Sequence, residues 1–137
     1  MNNMITLPII LPTVAALVMI ILRNKIKLHR VLSLVALLSV LAVSVIIVSK
    51  IKKDGILSLQ LGGWEAPFGV SMVADMFAAI LVLVTSAVSI CCLIYAFSSI
   101  GREREEYYFY PLFLILITGV NGSFLTGDIL ICLYVLK

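Results

Sequence analysis

Two carboxylates stand where an apolar chain could use them. Asp75 opens a long apolar run, and Asp128 sits in a Thr126-Gly127-Asp128 break between two others, with Lys137 beyond the second. Ionised side chains at membrane depth are costly and mark ion or proton pathways where they occur. A carboxylate in low dielectric binds its proton more tightly, and a nearby lysine loosens that grip. Such a group has a switchable proton affinity, so Asp75 and Asp128 are the ion-path candidates. Asp75 has a second reading, because a carboxylate in the first turn of a helix caps exposed N–H groups and faces the positive end of the dipole. Both readings stand on sequence alone.

Other chemistry is poorly provided for. The chain has one histidine, His29, outside the apolar runs, and no HExxH, phosphate loop or Ser/His/Asp set. Glu103, Glu105 and Glu106 alternate with Arg102 and Arg104, the pattern of a solvated, mutually paired loop. Cys91, Cys92 and Cys132 lie in apolar runs without a CxxC pair and read as small packing residues. No catalytic residue, metal site or cofactor is assigned. No basic run carries interleaved aromatics, so no nucleic-acid partner is expected.

The elements that would position the carboxylates are membrane helices. Of 137 residues, 63% are hydrophobic and 12% charged, against about 45–50% and about 25% for a soluble domain. The fold class is all-α and polytopic, in a single membrane domain over 1–137, with four transmembrane helices, a truncated fifth and a short extracytoplasmic β-hairpin. The helices are expected at 4–22, 31–49, 75–97 and 110–125, with a stub at 129–136. The first would carry kinks at Pro8 and Pro12, since spanning helices tolerate proline where neighbours satisfy the freed carbonyls. In the second, Ser33, Ser39, Ser44, Ala36 and Ala42 permit close helix contact. Between the second and third, Leu57, Leu59 and Leu61 alternate with Ser58 and Gln60. A turn near Gly62-Gly63-Trp64 then completes a hairpin over 56–73, with Trp64 at headgroup depth. In the fourth, Gly119 and Gly122 thin one face and Asn121 needs a partner inside protein, so these three are the helix-packing candidates.

Lysine and arginine set the orientation. The links near 23–30 and 98–108 carry six between them, against three for the N-terminus and hairpin region together. The former two face the cytoplasm in this reading, and the N-terminus lies outside.

Three blocks carry a resemblance: LQLGGWEAPFGVSMVAD (59–75), IGRERE before a Tyr-rich start (100–110), and GVNGSFLTGDI (119–129). Together they resemble the D subunit of the Mrp-type multisubunit Na⁺/H⁺ antiporter, which is similar to the antiporter-like proton-pumping subunits of respiratory complex I. The resemblance runs to about Ile129. It implies a bacterial cell membrane, other antiporter subunits and the lipid bilayer as partners, and Na⁺ and H⁺ as the ions of the intact parent. It also implies inverted repeats with ion sites near mid-membrane. The alternative function is a small structural or assembly subunit without transport activity.

In that family the next helix reads roughly Gly-Asp-Ile-Phe-Asn-Leu-(Phe/Tyr)-Val-Phe-Phe-Glu. Gly127, Asp128 and Ile129 match, but Leu130 onward departs, and Lys137 falls where the glutamate is expected. One base inserted after the Ile129 codon, in a permitted back-translation, restores Ile-Phe-Asn-Leu-Phe-Ile-Cys-Phe-Glu. A frameshift or truncation near Leu130, leaving an inactive N-terminal fragment, accounts for the departure; a diverged end is the other reading. Sequencing the DNA beyond the Ile129 codon checks this. An open shifted frame encoding Phe-Asn-Leu, then Glu, then further apolar runs is expected, and its absence favours the diverged end.

Overall fold

The computed structural model describes residues 3–22, 26–60, 71–101 and 108–125. A 3-10 turn, Asn3–Thr6, leads into α1 (Leu7–Ile21), followed by α2 (Ile26–Asp54), β1 (Leu57–Gln60), β2 (Ser71–Ala74), α3 (Met76–Ser99) and α4 (Phe109–Leu125). Among the described residues three helices are long and apolar enough to cross a membrane, Met4–Ile21, Ile26–Lys53 and Met76–Ser99, and α4 is a shorter apolar helix. These sequences are apolar on every side, and a helix satisfies its own backbone polar groups, as hydrocarbon requires. The expected stub 129–136 lies outside the described residues.

The boundaries differ from the sequence expectation in instructive ways. Pro8 does not kink a helix interior. It stands in the first turn of α1, where its missing N–H is no loss, and only Pro12 is internal. Helix α2 runs well past 31–49 at both ends, to 29 residues. Lysine, arginine and leucine are good helix formers, so leaving the hydrocarbon does not end a helix. Lys52 and Lys53 lie in its last turn, favourably placed for the dipole. Gly55 ends it, with φ +82° and its N–H donating to the Ile51 carbonyl at 2.9 Å.

Strands β1 and β2 pair antiparallel, Leu57 opposite Ala74 and Gln60 opposite Ser71. The turn expected at 62–67, with Trp64, lies outside the described residues. Each helix packs mainly on two others, in the ring α1–α2–α3–α4–α1. One buried cluster joins Ile5, Ile47, Ile51, Ala79, Val82 and Leu125 with the strand residues Leu57 and Ala74. A second joins Ala16, Met19, Ala36, Leu37, Leu93, Tyr110, Leu114 and Ile117. The first gathers the start of α1, the end of α2, the start of α3 and the end of α4; the second gathers the opposite ends. The helices therefore alternate in direction, and the strands lie at the end where α1 begins.

Gly55→Ala places a Cβ in the left-handed region and is expected to lower stability by about 1 kcal/mol. Unfolding in mixed micelles followed by circular dichroism checks this; an unchanged midpoint would show that the cap contributes nothing.

Candidate ion path and helix-packing site

Proline at position 12 removes one N–H from the α1 ladder. The carbonyl it would have served, four residues earlier, is that of Pro8. Pro8 and Pro12 are both buried, so water cannot serve that carbonyl. Asn121 on α4 is fully buried, and its Nδ2 donates to Pro8 O at 3.2 Å. The amide thus replaces the backbone donor that Pro12 lacks. Its Oδ1 has no hydrogen-bond partner among the described residues.

The same seam holds a second polar contact. Thr13 Oγ1 donates to Ile9 O at 2.6 Å and Thr118 Oγ1 to Leu114 O at 2.9 Å, while the two hydroxyl oxygens lie 3.3 Å apart. Thr118 and Asn121 are three residues apart and share a face of α4. A hydroxyl has one proton, so the contact between the threonines competes with each one's bond to its own helix.

Across the bundle, α2 meets α3 through Ser44 and Ser86, both buried, with hydroxyls 3.5 Å apart. Each also bonds back to its own helix, Ser44 to Val40 O at 2.6 Å and Ser86 to Leu83 O at 2.8 Å. Small serines allow the approach, and self-satisfaction makes their burial tolerable. Ser33 is buried likewise and donates to Arg30 O. Ala42 is exposed and makes no part of this contact.

Asp75 is the N-cap of α3. Its backbone is extended, and Oδ1 accepts from Ala78 N at 2.7 Å. The side chain is half-buried and stands beside the strand end, Ala74. Asp128 lies outside the described residues, so the two ion-path candidates are not brought together in the described structure. Gly119 is exposed, Gly122 half-buried, and a Cβ built on either meets nothing within 4 Å. Helix α4 turns a different face inward: Tyr110, Pro111, Leu114, Ile117, Asn121 and Leu125. Cys91 and Cys92 are exposed rather than packed.

His29 is a feature the sequence pattern placed outside the helices. It lies within α2, is buried, and its Nε2 stands 3.1 Å from Leu22 O at the end of α1. A carbonyl only accepts, so the ring holds a proton on Nε2 in this contact. The signal was its place seven residues after Leu22, one short turn away. Nearby, the Arg30 guanidinium lies 5.7 Å from the Phe97 ring centre, and Phe97, Tyr110, Phe109 and Phe113 form a chain of ring contacts at 5.4–6.0 Å. Among the described residues the buried polar side chains are His29, Ser33, Ser44, Ser86, Ser89 and Asn121; none is a carboxylate, lysine or arginine. No group of three metal-binding side chains occurs among them.

Fold and composition define a polytopic helical membrane protein whose interior is joined by neutral polar contacts. No family model matches the chain. Curated relatives do. The D subunit of the Na⁺/H⁺ antiporter of Alkalihalophilus pseudofirmus is 44% identical over 129 residues, which is 94% of this chain and 26% of that protein. Its counterpart in Bacillus subtilis is 39% identical over the same shares. Among solved structures, a chain of the Mrp complex from Dietzia sp. DQ12-45-1b superposes with a TM-score of 0.81 at 26% identity, covering 93% of this chain and 24% of that one. A chain of the membrane-bound sulfane sulfur reductase, an archaeal respiratory membrane complex, gives 0.84 at 26% identity, covering 92% and 26%. Over 94% of its length the chain is similar in sequence to Na⁺/H⁺ antiporter D subunits, and it shares its fold with chains of an Mrp complex and of an archaeal respiratory membrane complex. It spans about a quarter of the length of the curated relatives it matches.

The Asn121–Pro8 contact makes a coupled prediction. Asn121→Leu leaves the Pro8 carbonyl unserved and is expected to cost about 1–3 kcal/mol. Pro12→Ala restores the backbone donor, so in that background the same substitution should cost less by about 1 kcal/mol or more. Unfolding midpoints of the two single variants and the double variant measure this, and simple additivity would sink the idea.

Proposed function

We propose that this chain contributes to a monovalent cation/proton antiporter, exchanging Na⁺ for H⁺ across the membrane as one part of a hetero-oligomeric complex. What carries this reading is the 44% identity over 94% of the chain to an antiporter D subunit, together with the fold shared with a chain of an Mrp complex. Other antiporter subunits are the partners, and 1–137 acts as one membrane domain. The links between α1 and α2 and between α3 and α4 face the cytoplasm by their basic residues, which puts the N-terminus and the paired strands outside.

Within that complex these helices act as scaffold more than as conductor. Their described interior buries no carboxylate, lysine or arginine, and ion-coupling sites in membranes depend on such groups. Asp75 serves as a cap, and Asp128 remains the ion-path candidate. Gly119 and Gly122 on α4 offer a thin outer face for a neighbouring helix. The second reading, a structural or assembly role without transport, draws on the same uncharged interior. In either case exchange depends on the other subunits, and the chain alone in vesicles is expected to show none.

The test is Na⁺-dependent dissipation of a pH gradient in membrane vesicles from a host lacking its own Na⁺/H⁺ exchange. Co-expression of a full-length D subunit that includes these 137 residues with the remaining antiporter subunits should give exchange, and the 137 residues in its place should give none. Exchange that is indifferent to the chain would favour the assembly reading if the chain still co-purifies, and would remove both readings if it does not.

Asp75 separates cap from charge. Asp75→Asn keeps a capping oxygen without the charge, and should leave exchange and stability near wild type. Asp75→Ala should cost about 1 kcal/mol of stability. Loss of exchange in Asp75→Asn at unchanged stability would put the residue back on the ion path.

A further inference from the structure

We infer that the outer wall formed by α2 and α3 faces phospholipid directly, with anionic headgroups held at both ends of α2, and is not a subunit interface. The inference rests on the membrane-spanning reading and is independent of antiport. On α3, Phe77, Ile80, Val84, Val88, Cys91 and Tyr95 are all exposed. Their spacing of three and four places them on one helix face. Phe77 and Tyr95 close the stripe at its ends, 70% and 72% exposed. Eighteen residues separate them, which is five full turns and about 27 Å. The hydrocarbon core of a bilayer is about 30 Å thick, and aromatic side chains settle at its two interfaces. Between the rings the stripe offers only isoleucine, valine and cysteine.

Helix α2, its neighbour, repeats the measure with charge. Lys27 and Arg30 lie at one end and Lys50, Lys52 and Lys53 at the other, with Lys27, Lys52 and Lys53 exposed. Arg30 and Lys50 are 20 residues apart, about 30 Å along a helix. The exposed side chains between them include Val31, Val35, Leu38, Val45 and Ile46. Cations at the two headgroup levels complement the phosphates of an anionic lipid.

The other side of the ring lacks the charged ends and the aromatic pair, although α1 also exposes Ile10, Val14, Leu17 and Ile21. Neither α1 nor α4 contains a lysine or arginine. The exposed face of α4 carries Gly119 and Ser123 among Leu112, Ile115 and Leu116. Small residues suit a partner helix, and bulky apolar ones between interfacial anchors suit lipid.

The experiment places single tryptophans in the full chain, in a Trp64→Phe background that removes the native one. Val88→Trp and Val84→Trp report the α3 stripe, and Leu116→Trp reports α4. Each is reconstituted into phosphatidylcholine vesicles brominated at mid-chain, alone and with the co-purifying subunits. Both α3 reporters should be quenched about equally in the two states, and at least about twofold. Quenching of the α3 reporters that disappears on assembly, while Leu116→Trp stays quenched, would overturn the inference and make α3 the subunit interface. Absence of quenching at all three positions would overturn the membrane-spanning reading itself. For the charge half, mass spectrometry of the detergent-released protein should show retained phosphatidylglycerol in preference to phosphatidylcholine. A variant with Lys50, Lys52 and Lys53 changed to glutamine should lose most of that preference. Equal retention of both lipids by the unaltered chain would overturn the headgroup claim.

Discussion

One missing hydrogen organises the contact between α1 and α4. Pro12 deprives the Pro8 carbonyl of its backbone donor in a place water cannot reach, and Asn121 supplies the replacement at 3.2 Å. A buried amide on a membrane helix and a proline on another are each unfavourable alone. Together they serve the Pro8 carbonyl and the Asn121 Nδ2, leaving Oδ1 without a partner among the described residues, and they couple residues 113 positions apart in sequence. The bond also ties one point on α1 to one point on α4. The alternating ring is closed there, since α1 and α4 are the neighbours that no short link joins.

The opposite seam is built on a weaker principle. Ser44 and Ser86 each satisfy themselves on their own helix first, and meet at a distance that is the outer limit of a hydrogen bond. Polar contacts between membrane helices average about 0.6 kcal/mol. The value of these serines is therefore mostly their small volume, which lets α2 and α3 approach. The bundle thus has one seam held by a specific donor and one held by close packing.

Much of this was legible in the sequence. Apolar runs located the helices because hydrocarbon admits few alternatives, and the need of Asn121 and the prolines for partners was readable from their types. What the sequence did not tell is that these needs answer each other. That pairing depends on which helices become neighbours, and no local pattern carries that information. The ends of α2 escaped the sequence pattern for a related reason. Hydropathy marks where hydrocarbon stops, whereas helices stop at residues such as Gly55, whose backbone leaves the helical region. The alanines and glycines were harder still. Ala42, Gly119 and Gly122 have the size for close packing, but size does not say which side of a helix faces the bundle. Asp75 stood between cap and conductor because both roles want a carboxylate at a helix start. Its bond to Ala78 N provides the cap that one reading required.

The described interior also has an electrical consequence. A membrane potential acts on a protein through the charges that lie within the voltage drop, at about 2.3 kcal/mol per elementary charge per 100 mV. The buried polar groups described here are neutral hydroxyls, an amide and one histidine near the start of α2, and the lysines of α2 stand toward its two termini. Such a bundle has almost nothing for the field to pull on. Among the described residues, a change in transmembrane voltage therefore finds little charge to act on inside these four helices.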